Sequence, residues 1–167
     1  MLIKCSDIPV QKDCTEDFSD TLNIKRKINR LDAADDHIDI VDDILLHPDG
    51  LGVIRYGYSK HFYSSGAFNL IQLIFFVLKQ TGPAHLFLTS YSISMDSITA
   101  LRRKLDAGDI LSARFLIDNR VRSISPKPFD FLITSFPACY RCCALHAKVA
   151  LIWNDRWHIT VVGSQNA

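Results

Sequence analysis

Leu145-His146-Ala147-Lys148-Val149-Ala150-Leu151-Ile152-Trp153, then Asn154-Asp155-Arg156, then Trp157-His158-Ile159-Thr160-Val161-Val162-Gly163-Ser164-Gln165-Asn166, is the most informative stretch of this 167-residue chain. The two outer segments are rich in β-branched and aromatic residues and flank a short polar interval, the pattern of two antiparallel strands joined tightly. Side chains alternate faces along a strand, so His146 and Lys148 share one face of the first, and Ser164 and Asn166 share one face of the second. With Asn154-Asp155-Arg156 as a three-residue loop, Trp153 is expected opposite Trp157, and His146 opposite Ser164. Opposed residues of an antiparallel pair point the same way, with Cβ atoms about 5 Å apart. That register gathers His146, Lys148, Ser164 and Asn166 into one patch. A two-residue loop would shift the parity and send the two pairs to opposite faces.

An imidazole, an ammonium, a hydroxyl and a carboxamide, with no carboxylate among the four, form a set suited to phosphate. Lys148 and Asn166 can hold nonbridging oxygens and neutralise charge developing at phosphorus, while a neutral nitrogen of His146 attacks in line, so no metal or other cofactor is called for. Gly163, just before Ser164, allows close approach of the backbone to a ligand and is a candidate substrate contact.

His146-x-Lys148 followed by Gly163-Ser164-x-Asn166 resembles the signature of the phospholipase D superfamily, whose His-x-Lys and Gly-Ser-x-Asn elements sit on adjacent strands. The resemblance covers residues from about 55 to 167, where strands and helices alternate in a compatible order. It implies that His146 is the nucleophile or the acid, that Lys148 and Asn166 are the phosphate ligands, and that Ser164 supports them. Only one copy of the motif is present, and members with one copy pair across a twofold axis, so a homodimer with a shared site is implied. The family often has Asp five residues after the Lys. Here that position is Trp153, and Asp155, in the expected loop, takes no family role. The family fold continues with further helix and strand, which makes a C-terminally incomplete chain an expectation.

Working outward from the motif, the periodicity alternates. Val53–Tyr58 is β-branched and aromatic; Ser64 or Ser65 is positioned to cap a helix over about Ala67–Gln80, stopped by Gly82-Pro83. That helix is apolar nearly all round, which suits core or a dimer interface. Ala84–Ser90 reads as a strand, and Ser94 or Asp96 as the cap of a second helix ending at Gly108. Ile110–Ile117 is a further strand and Pro126–Ser135 a short helix. The alternation predicts an α/β fold, a mixed β-sheet flanked by helices in the manner of the phospholipase D sandwich. His47-Pro48-Asp49-Gly50 is a turn signal dividing an N-terminal arm, residues 1–49, from a body, residues 50–167. In the arm, the apolar residues from Ile38 to Leu46 suit a short strand or helix that docks on the body.

A composition of 48% hydrophobic and 22% charged residues excludes disordered and fibrous classes. The net charge of +1 conceals a split: residues 1–49 hold 6 basic and 12 acidic side chains, residues 50–167 hold 13 basic and 6 acidic. A basic body favours a polyanionic partner. The longest apolar run, Leu70–Leu78, is far shorter than the roughly 20 residues a membrane span needs, so no membrane association is expected. The N-terminus lacks the pattern of a secretory signal, and the five cysteines are odd in number, which together suggest a cytoplasmic setting.

Cys139, Cys142, Cys143 and His146 carry zinc-type donors, but only one paired spacing exists, and the thiols are expected to be ordinary buried cysteines. His37, His47, His61, His85 and His158 fit surface or hydrogen-bonded roles. Arg102, Arg103 and Lys104 suit the C-terminus of their helix. Arg114, Arg120 and Arg122 follow or lie within a central strand, and Arg120 and Arg122 are candidate substrate contacts. The expected function is a metal-independent phosphodiesterase: a nuclease on DNA or RNA first, a phospholipid or small-diester hydrolase second, and a non-catalytic nucleic-acid-binding module third.

Overall fold

Alternating strand and helix periodicity is realised as an α/β fold whose five-stranded mixed sheet is flanked by helices, in a computed structural model that describes residues 39–41, 43, 44, 46, 50–64, 66–164 and 167. The elements are β1 (Asp39–Ile40), β2 (Phe62–Tyr63), α1 (Leu70–Thr81), β3 (Ala84–Ser90), α2 (Met95–Asp106), β4 (Ile110–Asp118), α3 (Val121–Ile124), α4 (Pro126–Ser135), β5 (Tyr140–Cys143), β6 (Lys148–Trp153) and β7 (His158–Gly163). The main sheet runs β5-β4-β3-β6-β7, and β1 and β2 form a separate ribbon. Strands β3, β4 and β5 are parallel; β6 is antiparallel to β3, and β7 to β6. Residues Ile40–Ala167 make one compact unit.

Local chemistry sets where the helices begin. Asn69, rather than Ser64 or Ser65, caps α1: its Oδ1 accepts from the Gln72 N–H at 2.9 Å while Gln72 Oε1 accepts from the Asn69 N–H at 2.8 Å. This reciprocal box starts the helix three residues later than the serine reading. Gly82 ends it at φ 76, donating its N–H to the Leu78 carbonyl, a conformation that suits glycine. Ser94 caps α2 as expected, accepting from the Ser97 N–H. Val53–Tyr58 forms no strand despite its composition. Gly57 at φ 69 turns the chain, and Tyr56 stacks on Trp157 with ring centroids 4.0 Å apart.

Core packing uses one face of the sheet. Leu86, Leu88, Ala113, Phe115, Ile117, Ala150 and Ile152 are buried and join α1, α2 and α4 in a single cluster. Their alternating neighbours Phe87, Leu116, Val149 and Leu151 lie outside that cluster and remain partly or largely exposed. Each fully buried Leu, Ile or Phe contributes about 1.5–3 kcal/mol, so this face accounts for most of the favourable burial. A smaller cluster packs Val41 against Phe68 and Leu73.

The final hairpin differs from its expected register. Trp153 faces His158, and Lys148 faces Gly163. The Asn154 N–H donates to the Trp157 carbonyl at 2.9 Å, leaving Asp155 and Arg156 as a two-residue turn. Asn154 is the physical cause. Its Oδ1 accepts from the N–H groups of Arg156 and Trp157, and its Nδ2 donates to the carbonyls of Thr81 and Pro83, tying the turn to the α1–β3 connection. Trp157 thus serves the turn and the Tyr56 stack instead of pairing with Trp153. Consequently Lys148, Ala150 and Ile152 share the inner face with Ile159, Val161 and Gly163.

Candidate functional site

Strands β3 and β4 end, β6 begins and β7 ends along the same edge of the sheet, the carboxyl end of its parallel strands. In open α/β sheets that edge is where ligands bind. Here it presents Ser90 and Tyr91 after β3, Asp118 at the end of β4, and the segment Leu145–Lys148 leading into β6.

Two side chains hold that segment. Thr89 Oγ1 donates to the Ala147 carbonyl at 3.0 Å and accepts from the Val149 N–H at 2.9 Å, standing in for a ladder partner. Asp118 accepts from the Leu145 N–H at 2.8 Å. The residues on both sides of His146 are therefore tied to neighbouring strands. Asp118 is itself 1% exposed and accepts from Arg120 three times, through the backbone N–H at 2.9 Å, Nε at 2.7 Å and Nη2 at 3.1 Å. The Arg120 guanidinium, with the Leu145 N–H, holds the Asp118 carboxyl well below the usual carboxylate range, and Asp118 raises the Arg120 guanidinium in turn.

Around the Tyr91 ring three functional groups converge. The His146 ring lies 5.0 Å away between centroids, the Arg120 guanidinium carbon 4.6 Å from the centroid and Lys148 Nζ 5.6 Å from it. Lys148 is only 7% exposed. Its Nζ donates to the His146 carbonyl at 2.9 Å and sits 3.4 Å from His146 Nδ1. Among the described residues no carboxylate lies within ion-pair distance of Lys148. The His146 side chain is exposed. A buried ammonium beside an open imidazole is an arrangement that can receive an oxyanion and attack the atom that bears it.

His146 and Lys148 lie together, and Arg120 joins them at the Tyr91 ring; Ser164 and Arg122 do not. Lys148 stands opposite Gly163 instead of Val162, so the expected pairing of His146 with Ser164 is lost, because Asn154 sets the odd register. Ser164 is exposed in a bend beyond β7, so strand parity does not aim it at Lys148. Asn166 lies outside the described residues, as do the charged stretches before residue 39 and His47, Pro48 and Asp49 of the expected turn. Ala167, which is described, donates its N–H to Ser90 Oγ at 3.2 Å and accepts from the Ser94 N–H at 3.2 Å. Arg122 departs from the cluster. Its guanidinium stacks 5.3 Å over Phe129 and lines a different cleft.

Sequence reasoning missed Tyr91 and the clamps Thr89 and Asp118. Each sits within one residue of the end of a strand read correctly as a strand, and position at the carboxyl end of β3 or β4 is the signal that marks them. Cys139 and Cys142 pack against the core. Among the described residues no three His, Cys, Asp or Glu side chains gather at metal-ligand spacing. Compared with protein-family models, curated proteins and solved structures, the chain matches none.

Proposed function

We propose that this chain is a phosphodiesterase that needs no metal, a nuclease acting on DNA or RNA through a phosphohistidine intermediate. The observation that carries the reading is Lys148, a cation 7% exposed beside an exposed imidazole, with no acidic partner among the described residues. Burying an ammonium without a counter-charge costs of order several kcal/mol. An anionic substrate offsets that cost, which turns an unfavourable feature of the free protein into affinity for phosphate.

The reaction divides into two displacements. A diester sets a nonbridging oxygen toward Lys148, and a neutral His146 nitrogen attacks phosphorus; a P–N bond forms as the bond to the leaving oxygen breaks. That oxygen takes a proton from an acid, which the family resemblance assigns to His146 of a second copy in a homodimer. Water then attacks phosphorus, gives its proton to the same group, and the P–N bond breaks to free His146. Lys148 performs the charge neutralisation that a metal performs elsewhere. Asn166 retains its family role in this proposal, with Arg120 and Gly163 at the rim.

Charge favours nucleic acid over lipid. Residues 40–167 carry 13 basic and 9 acidic side chains, and no helix among the described residues is long and apolar enough to cross a membrane. The test incubates wild type and His146→Ala with labelled DNA, RNA and phosphatidylcholine in EDTA. Cleavage of nucleic acid that persists in chelator and disappears in the variant is the expected result. Cleavage that stops in EDTA overturns the mechanism, cleavage confined to phosphatidylcholine replaces the substrate, and binding without cleavage leaves a nucleic-acid-binding module.

A further inference from the structure

On the other side of β4, a cleft of about 500 Å³ opens among α3, α4, β5 and the end of β4. Asn119, Arg122 and Arg141 supply its polar lining, and Ile133, Pro137 and Tyr140 much of its apolar wall. No Asp or Glu is among its described lining residues. Arg122 and Arg141 are both exposed, and among the described residues neither has a carboxylate within ion-pair distance. Both arginines are nonetheless held in place. Arg122 lies over the Phe129 ring, and Arg141 Nη1 donates to the Tyr140 carbonyl at 2.9 Å. Tyr140 is fixed in turn by an edge-on contact with Phe129, with centroids 5.8 Å apart at 86°.

We infer that this cleft takes one unstacked nucleotide of a single-stranded nucleic acid, its phosphate on Arg122 and Arg141 and its base against the Tyr140 and Pro137 wall. The inference rests on the phosphodiesterase reading and names its substrate class. Volume supports it, since small-ligand sites span about 300–1,000 Å³. So does the mixture of guanidinium donors with an aromatic wall, the pairing that holds single strands without regard to base sequence. A base of a duplex reaches such a cleft only by leaving its stack, at a cost of a few kcal/mol, so a single strand is preferred. The strand order connects the two sites. Asp118–Arg122 contributes Arg120 to the Tyr91 cluster and Arg122 to the cleft, and β6 is three strand spacings from β5, about 14 Å. A strand with its scissile phosphate at Lys148 spans that distance over a few nucleotides.

The experiment measures binding alone, on a His146→Ala background, by fluorescence anisotropy across a salt series. The probes are a labelled single strand of about 12 nucleotides and the matching duplex. Adding Arg122→Ala and Arg141→Ala is expected to weaken single-strand binding about tenfold or more. It should also flatten the log–log salt slope by about 0.7 for each phosphate contact removed, while duplex affinity changes less. Both arginines are exposed, and circular dichroism confirms that the variant is folded. Equal losses on both probes would reveal a diffuse basic surface, and unchanged single-strand affinity an idle cleft; either overturns the inference. A wild type that cleaves no diester yet shows the single-strand loss removes the phosphodiesterase reading alone. Cleavage with unchanged single-strand affinity removes the cleft alone.

Discussion

Lys148 stands on the inner face of β6, in line with Ala150 and Ile152, at a position where a packed apolar side chain would cost nothing in desolvation. A cation there fits the proposed site and works against stability. Lys148→Met keeps most of the volume and removes the charge. The expected outcome is a melting temperature equal to or above wild type, with diester cleavage reduced by about 10²–10³-fold, the scale of losing one electrostatic stabiliser; a variant that melts lower and keeps its activity would make Lys148 structural. Asp118 works in the opposite sense. Its carboxyl is held low in the folded chain, so as pH falls through about 4 the unfolded chain takes up this proton first. The stabilisation it gives is complete above that pH and diminishes as pH falls further toward the folded-state value. Thermal melts of wild type and Asp118→Asn should therefore show a gap at neutral pH that narrows between about pH 5 and about pH 2. A gap independent of pH would mean that the carboxylate's charge is not what ties Leu145 and Arg120.

At the scale of elements, the hairpin of β6 and β7 depends on one side chain. Asn154 makes four hydrogen bonds, two within the turn and two to the carbonyls of Thr81 and Pro83. Asn154→Ala leaves those partners to solvent or unpaired and is expected to cost about 1–3 kcal/mol in urea denaturation, given about 1 kcal/mol net per bond with some compensation by water. No measurable change would show that the turn holds its register without the carboxamide. The same residue explains what was legible in the sequence. β3, α4 and the cap of α2 could be read to within a residue because their signals are local: an apolar run after Gly82-Pro83, a proline at the first helical position, a serine before Met95. The hairpin parity could not be read, because it depends on Asn154 reaching Thr81, 73 residues earlier in the chain. His146, Lys148 and Arg120 were visible from their types and spacing. Tyr91 was not, since an aromatic after a strand carries no chemical signal until the fold brings His146, Lys148 and Arg120 around it.

Across the whole molecule, the described helices occupy one face of the sheet, and the proposed chemistry lies along the carboxyl edge of the parallel strands. Two features would receive anions under the proposal: the buried Lys148 with His146 on that edge, and the cleft lined by Arg122 and Arg141 beside β5. A net charge of +1 is compatible with the proposed polyanionic substrate, because residues 50–167 hold 13 basic and 6 acidic side chains. The proposed resemblance enters at this scale too, since under it a single His-x-Lys motif would take its acid from a second copy. The central claim, that His146 attacks phosphorus beside Lys148, is tested most directly by trapping the covalent intermediate. Wild type is mixed with an end-labelled oligonucleotide in EDTA, quenched in denaturant at alkaline pH, digested and examined by mass spectrometry. The account predicts a nucleotide adduct on the peptide containing His146, stable in alkali, lost in acid and absent from His146→Ala. Cleaved oligonucleotide with no adduct on that peptide, or an adduct on another residue, would contradict it.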